Sequence, residues 1–227
     1  MNKGIFITGT DTDVGKTFVT AYVVKTMRDK GIQAGYYKAA LSGAYYEKDQ
    51  LIPGDAKFVM ALGDFQEPYN QCVSYTFEDA VSPHLAAQRI GVEINLDKIQ
   101  QDYTVLTQKY DYVVVEGSGG IICPLKVKDQ TVILLEDVIK CLNLDTLVVA
   151  RAGLGTINHT VLTVKYIQSK NLLVKGIILN EYEEGNSLHE DNKRMIERLT
   201  GVEVIAVMPR LQKESMRFDI NLEKIMN

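Results

Sequence analysis

The chain has 227 residues, 46% of them hydrophobic and 24% charged, with a formal net charge of −4. That balance excludes a disordered, collagen-like or disulfide-scaffold protein, and a pI near 5.5 gives no electrostatic footing for nucleic acid or an anionic membrane. The length implies one domain over 1–227, with a core that buries about 70% of the extended chain's surface.

In chain order, short apolar runs alternate with amphipathic stretches. The pattern predicts a strand over Gly4–Thr8, a helix over Thr17–Lys30 and a strand over Ala34–Lys38. Helices follow over Gly54–Leu62, Ser82–Gln88 and Leu96–Tyr110. Tyr112–Glu116 reads as a strongly apolar strand, Thr131–Leu142 as a helix and Thr146–Ala150 as a strand. The last four elements are a helix over Asn158–Ser169, a strand over Lys175–Asn180, a helix over Ser187–Leu199 and a strand over Val202–Met208. The strands are continuous apolar runs without polar alternation, which is the mark of a sheet buried on both faces. Strand–helix alternation of this kind predicts an α/β fold of the P-loop NTPase type, a mostly parallel central sheet flanked by helices. Ligands in such folds sit at the carboxyl ends of the strands, so 9–17, 38–43, 116–120, 151–158, 180–181 and 209–211 are the segments to inspect.

Cys72, Cys123 and Cys141 lie far apart and form no Cys-x-x-Cys pair, which points to reduced thiols and a cytoplasmic setting. His84, His159 and His189 lack metal-ligand spacing. The first residues run straight into a strand pattern, so no signal peptide is expected. No apolar stretch approaches the ~20 residues that span a bilayer.

The first strand leads into Gly-Thr-Asp-Thr-Asp-Val-Gly-Lys-Thr (9–17) and then a helix. Gly-Lys-Thr between strand and helix is the core of a Walker A loop, whose backbone N–H groups and helix start hold phosphate. Lys16 would reach the β- and γ-phosphates and the Thr17 hydroxyl would bind Mg²⁺. The spacing departs from the usual form: five residues separate Gly9 from Gly15 instead of four. Glu116 closes an apolar strand before Gly117, Ser118, Gly119 and Gly120, a Walker B arrangement in which a carboxylate holds the Mg²⁺. Asp55, in Pro-Gly-Asp-Ala, reads either as a helix N-cap or as a third metal ligand.

Several classes share this loop. A guanine reader needs Asn-Lys-x-Asp late in the sheet, and Asn180-Glu181-Tyr182-Glu183 lacks its lysine and aspartate. Partition ATPases place a second lysine early in the loop, where Asp11 stands here. Five segments together resemble the dethiobiotin synthetase family: Thr-Gly-Thr-Asp-Thr-Asp-Val-Gly-Lys-Thr (8–17), Tyr-Lys-x-x-x-Ser-Gly (37–43), Ser-Pro-His-Leu-Ala-Ala (82–87), Val-Glu-Gly-Ser-Gly-Gly (115–120) and Gly-Leu-Gly-Thr-Ile-Asn-His (153–159). The long glycine spacing is itself a mark of that family. Leu-Asn (179–180) and Met-Pro (208–209) extend the match.

The resemblance implies a cytoplasmic, homodimeric, Mg²⁺- and ATP-dependent ligase that joins CO₂ to 7,8-diaminopelargonic acid, with no nucleic acid or membrane partner. In the family a carbamate forms, its oxygen attacks the γ-phosphate to give a carbamic–phosphoric anhydride, and the second amine displaces phosphate to close the ureido ring. It implies catalytic roles for Lys16 and Lys38, and a metal set of Thr17, Asp55 and Glu116. Nucleotide binding would fall to Asp13, Val14, Gly15, Lys16, Thr17, Phe18, Asp55, Glu116, Gly117, Ser118, Gly119, Asn180, Glu181, Pro209, Arg210 and Leu211. Substrate would meet Thr12, Lys38 and Ser42, and the helix start at Gly155, Thr156 and Asn158 would take its carboxylate across a dimer interface, a placement that helix-end electrostatics favours. His84 and His159 read as structural. Lys38-Ala39 stands where the family usually has Lys-Pro, 44–52 are unmatched, and the match fades beyond Leu211, where Glu214 is the nearest candidate for a nucleotide-contacting glutamate. The alternative class is a partition-type nucleotide switch. A related amide ligase acting on a larger corrinoid acid usually carries an extra glutamine-amidotransferase domain, for which 227 residues leave no room.

Overall fold

The computed structural model describes residues 4–210 and 220–226. β1 (Gly4–Gly9), α1 (Lys16–Asp29) and β2 (Ala34–Ser42) open the fold, followed by a small hairpin, β3 (Tyr45–Glu47) and β4 (Gln50–Ile52). Then come α2 (Gly54–Gly63), α3 (Tyr69–Cys72), β5 (Val73–Phe77), α4 (Pro83–Arg89), α5 (Leu96–Lys109) and β6 (Tyr112–Gly120). A second hairpin, β7 (Pro124–Lys128) and β8 (Thr131–Leu134), precedes α6 (Leu135–Leu142) and β9 (Asp145–Arg151). The remaining elements are α7 (Thr156–Ser169), β10 (Val174–Asn180), α8 (Ser187–Thr200), β11 (Val204–Met208) and α9 (Leu222–Met226).

Among the described residues seven strands form one sheet in the order β11-β10-β9-β1-β6-β2-β5. Every pairing within it is parallel, as the apolar strand runs predict. Alternate side chains divide between two cores: Ile5 and Ile7 face α1, α2 and α9, while Phe6 faces the layer of α5, α6, α7 and α8. The strand order places β1 centrally, between β6 and β9. The loop after β1 therefore lies beside the carboxyl ends of both neighbours, where open sheets bind ligands.

One predicted helix is corrected. Residues 131–134 are strand, paired antiparallel with β7, and the helix starts at Leu135. Thr131, Val132 and Ile133 are β-branched and suit a strand, Asp129 turns the chain at φ 51°, and Asp137 accepts a hydrogen bond from the Leu134 N–H at 2.8 Å, fixing the helix start one step later. β3, β4, β5 and β7 were not expected. β2 and β6 run on to Ser42 and Gly120, and α7 begins two residues earlier than predicted.

Candidate active site

The phosphate loop is shaped before any ligand arrives. Thr10 N–H donates to the Val149 carbonyl at 2.9 Å, which ties the loop to β9. Asp13 at φ 56° and Gly15 at φ 92° turn the chain into α1. Among the described residues no side chain caps that helix, so its first amides remain for an anion. Lys16 is buried and folds back to donate to the Asp11 carbonyl at 2.8 Å. Burial, and next the nearby Lys38 charge, hold its ammonium below the usual lysine range. Phosphate would replace the Asp11 carbonyl as its partner.

Strand register assembles the second half of the site. In β2 and β6, Lys38 stands opposite Glu116, and both side chains face α1 and α2. The Lys38 ammonium donates to Glu116 Oε1 at 2.7 Å and to Asp55 Oδ2 at 2.6 Å. Thr17 Oγ1 donates to the same Glu116 Oε1 at 2.7 Å, and the Tyr36 hydroxyl donates to Oε2 at 3.1 Å. Burial works against the Lys38 charge, but Glu116 and Asp55 outweigh it and raise its pKa. Asp55 is not the helix cap: the cap position of α2 is Pro53, and Asp55 lies in the first turn.

Two carboxylates and a hydroxyl converging on one point are hard oxygen donors, the set that suits Mg²⁺, which binds through one or two carboxylates and keeps several waters. The Lys38 ammonium reaches both carboxylates, and a metal bound there would share them with it. Thr17, Asp55 and Glu116 would therefore hold the metal. Among the described residues no group of three or more His, Cys, Asp or Glu side chains forms a further metal cluster.

A wide cleft lies on the other side of the loop, towards β9, β10 and β11. It is lined by Thr12, Val14, Thr156, Glu181, Pro209 and Arg210, among others. It thus brings together residues expected on the nucleotide and the substrate sides. Gly155 caps α7 at φ 89°, and Gly155 and Asn158 are exposed. Among the described residues Ser42 Oγ has no hydrogen-bond partner and is buried, at the end of the strand that carries Lys38. Other residues are already engaged within the protein. Asn180 is buried and its amide donates to the Val14 carbonyl at 3.0 Å. The Ser118 hydroxyl donates to the Ala40 carbonyl. Gly117 is buried, and Phe18 packs edge-on against Tyr22. Gly119, at φ 64°, passes beside Thr12. Leu211 and Glu214 lie outside the described residues. His84 bonds to Ser82, and His159 lines the cleft.

Sequence reasoning assigned no role to Arg151 or Tyr36. Arg151 ends β9; its Nη2 donates to the Asp13 carbonyl at 2.5 Å, and its Nε lies 3.9 Å from Glu181 Oε2. The half-exposed guanidinium therefore straps the turn of the phosphate loop to the segment after β10. Arg151→Ala is expected to raise the calorimetric Kd for ATP about tenfold, the low end of a charge-assisted hydrogen bond. Stability should change little, since the side chain is 52% exposed. An unchanged Kd would remove the strap from the account of nucleotide binding.

An AAA domain family model matches residues 3–216. The chain is 53% identical to the ATP-dependent dethiobiotin synthetase BioD of Clostridium novyi (strain NT), over 97% of this chain and 92% of that one. It is 46% identical to the enzyme of the same name from Clostridium perfringens (strain 13 / Type A), over 97% and 96%. It is 50% identical to that from Brachyspira hyodysenteriae (strain ATCC 49526 / WA1), over 92% of each. Among solved structures, the MinD cell division protein of Aquifex aeolicus superposes with a TM-score of 0.57 at 14% identity, over 93% of this chain and 84% of that one. A ParA family ATPase from Chlorobium tepidum TLS gives 0.55 at 13%, over 93% and 86%. These two share the P-loop fold. With such identity over nearly the whole of both chains, the chain belongs to the ATP-dependent dethiobiotin synthetases, a family of ligases of biotin biosynthesis.

Proposed function

We propose that the protein closes the ureido ring of dethiobiotin from 7,8-diaminopelargonic acid and CO₂ while ATP becomes ADP and phosphate. One observation carries the reading: a buried lysine, Lys38, lies within 2.7 Å of two carboxylates that also face the phosphate loop. Phosphoryl transfer needs positioning and charge neutralisation more than covalent help from the protein. Lys16 and the amides at the start of α1 take the β- and γ-phosphates. Lys38 would stand beside the carbamate oxygen as it approaches the γ-phosphate, and its charge would favour both the carbamate and the transferring group. Mg²⁺ bound by Thr17, Asp55 and Glu116 supplies neutralisation of the phosphate oxygens. Ser42, with its free hydroxyl, is suited to orient the diamine.

The start of α7 is a helix N-terminus with exposed Gly155 and Asn158, which suits a carboxylate. Their exposure fits service to the substrate of a second copy in a homodimer. Three free cysteines fit a reducing cytoplasm; among the described residues no helix is long and apolar enough to cross a membrane. A partition-type switch is less supported, because Asp11 occupies the place of its second lysine. The test follows phosphate release from ATP with Mg²⁺ and bicarbonate, with and without the diamine, and dethiobiotin by mass spectrometry. Diamine-dependent phosphate matched mole for mole by dethiobiotin is the expected outcome. ATP hydrolysis indifferent to the diamine, with no product, would sink the substrate assignment first.

A further inference from the structure

We propose that Tyr36 is a positioning residue for the metal site, acting through the carboxylate of Glu116. β2 and β6 run in parallel with Tyr36 opposite Val114 and Lys38 opposite Glu116. Side chains two apart on a strand share a face, so Tyr36 lies beside Lys38 and reaches diagonally to Glu116. Tyr36 is fully buried and Glu116 is 1% exposed. The phenol donates to Glu116 Oε2, while Oε1 accepts from both Thr17 and Lys38. The last torsion of a glutamate is soft. Held at Oε2, this carboxylate keeps Oε1 turned towards Thr17 and Lys38, on the side where a metal would bind.

Phenylalanine would fill the same space in the apolar cluster that holds Val114; among the described residues the hydroxyl adds only the bond to Glu116. The next residue provides a contrast. Tyr37 is equally buried, on the opposite face, and its hydroxyl bonds to Ser74 Oγ at 2.6 Å and the Ile99 carbonyl at 3.1 Å. Its hydrogen bonds serve packing of α5 and β5, away from the site.

Partners that orient metal ligands typically contribute 10–100-fold to metal affinity. The inference rests on Glu116 as a metal ligand, so the experiment separates the two. Binding of ADP to the whole protein is followed by calorimetry as a function of Mg²⁺, with no diamine or bicarbonate present. Tyr36→Phe should raise the Mg²⁺ needed for half-maximal ADP binding about 10–100-fold. Its ADP affinity in excess chelator should stay within about twofold of wild type, because the phosphate loop is untouched. Tyr37→Phe should lower the melting temperature and leave the Mg²⁺ dependence as in wild type. Glu116→Gln should shift the Mg²⁺ dependence at least as far as Tyr36→Phe. A wild-type Mg²⁺ dependence in Tyr36→Phe, with Glu116→Gln shifted, overturns the role of Tyr36 alone. No shift in either overturns the metal assignment and this inference together. Tyr36→Leu, which also removes the donor, replaces Phe if that variant does not fold. An unshifted Mg²⁺ dependence there overturns the role as well.

Discussion

Lys38→Met is expected to lower dethiobiotin formation about 10²–10³-fold, the usual loss when one donor aimed at developing charge is removed. Methionine keeps most of the stem volume, so the loss would be of charge and not of packing. ATP binding should persist within a few-fold, because the proposed phosphate contacts would come from Lys16 and the start of α1. The variant has a second signature. Lys38 is nearly buried, and so is Glu116; removing one partner of a buried pair leaves an uncompensated charge, at a cost of about 3 kcal/mol. Asp55, 37% exposed, adds little. In metal-free buffer the melting temperature should fall, and millimolar Mg²⁺ should restore part of it, since a cation on Asp55 and Glu116 would offset the carboxylate charge that the ammonium no longer balances. Wild-type turnover in Lys38→Met would remove Lys38 from the reaction. A melting temperature indifferent to Mg²⁺ would remove Asp55 and Glu116 from the metal site.

The parts of this site that are legible in the sequence are those set by short-range order. Thr17 opens a helix, Lys38 and Glu116 follow apolar strand runs, and Asp55 follows a Pro-Gly break. Each position is fixed by the element next to it, so pattern and motif suffice. Tyr36 and Arg151 are not legible in this way. Their partners lie 80 and 138 residues away in sequence, and the pairing depends on strand register and on a loop conformation that no local pattern encodes. The same division holds for the fold. The parallel strands announce themselves by continuous burial, whereas β3 and β4 are three residues each and mostly exposed. β8 failed for a different reason: its apolar residues run directly into those of α6, and periodicity alone cannot place the boundary between a short strand and the helix that follows.

Gly15→Ala is expected to weaken ATP binding about 100-fold, and the cause is a specific collision. Gly15 sits at φ 92°, a conformation that costs a residue with a Cβ roughly 1–2 kcal/mol. A Cβ built there would lie 2.0 Å from Asn180 Nδ2. Asn180 is itself buried and committed to the Val14 carbonyl, so it cannot move without giving up a buried hydrogen bond, at about 1–3 kcal/mol. The sum is about 3 kcal/mol, which is roughly two decades in affinity if the loop rearranges to escape it. Asn180→Ala separates the two causes. Alone it should weaken ATP binding modestly, by releasing Val14. In the Gly15→Ala background it should improve binding about tenfold over Gly15→Ala itself, because the clash is gone and the φ strain remains, a non-additivity expected of residues in contact. Additive losses in that cycle would mean that φ strain alone carries the effect and that Asn180 does not brace the phosphate loop. A wild-type Kd in Gly15→Ala would mean that the loop adopts another conformation when it binds nucleotide.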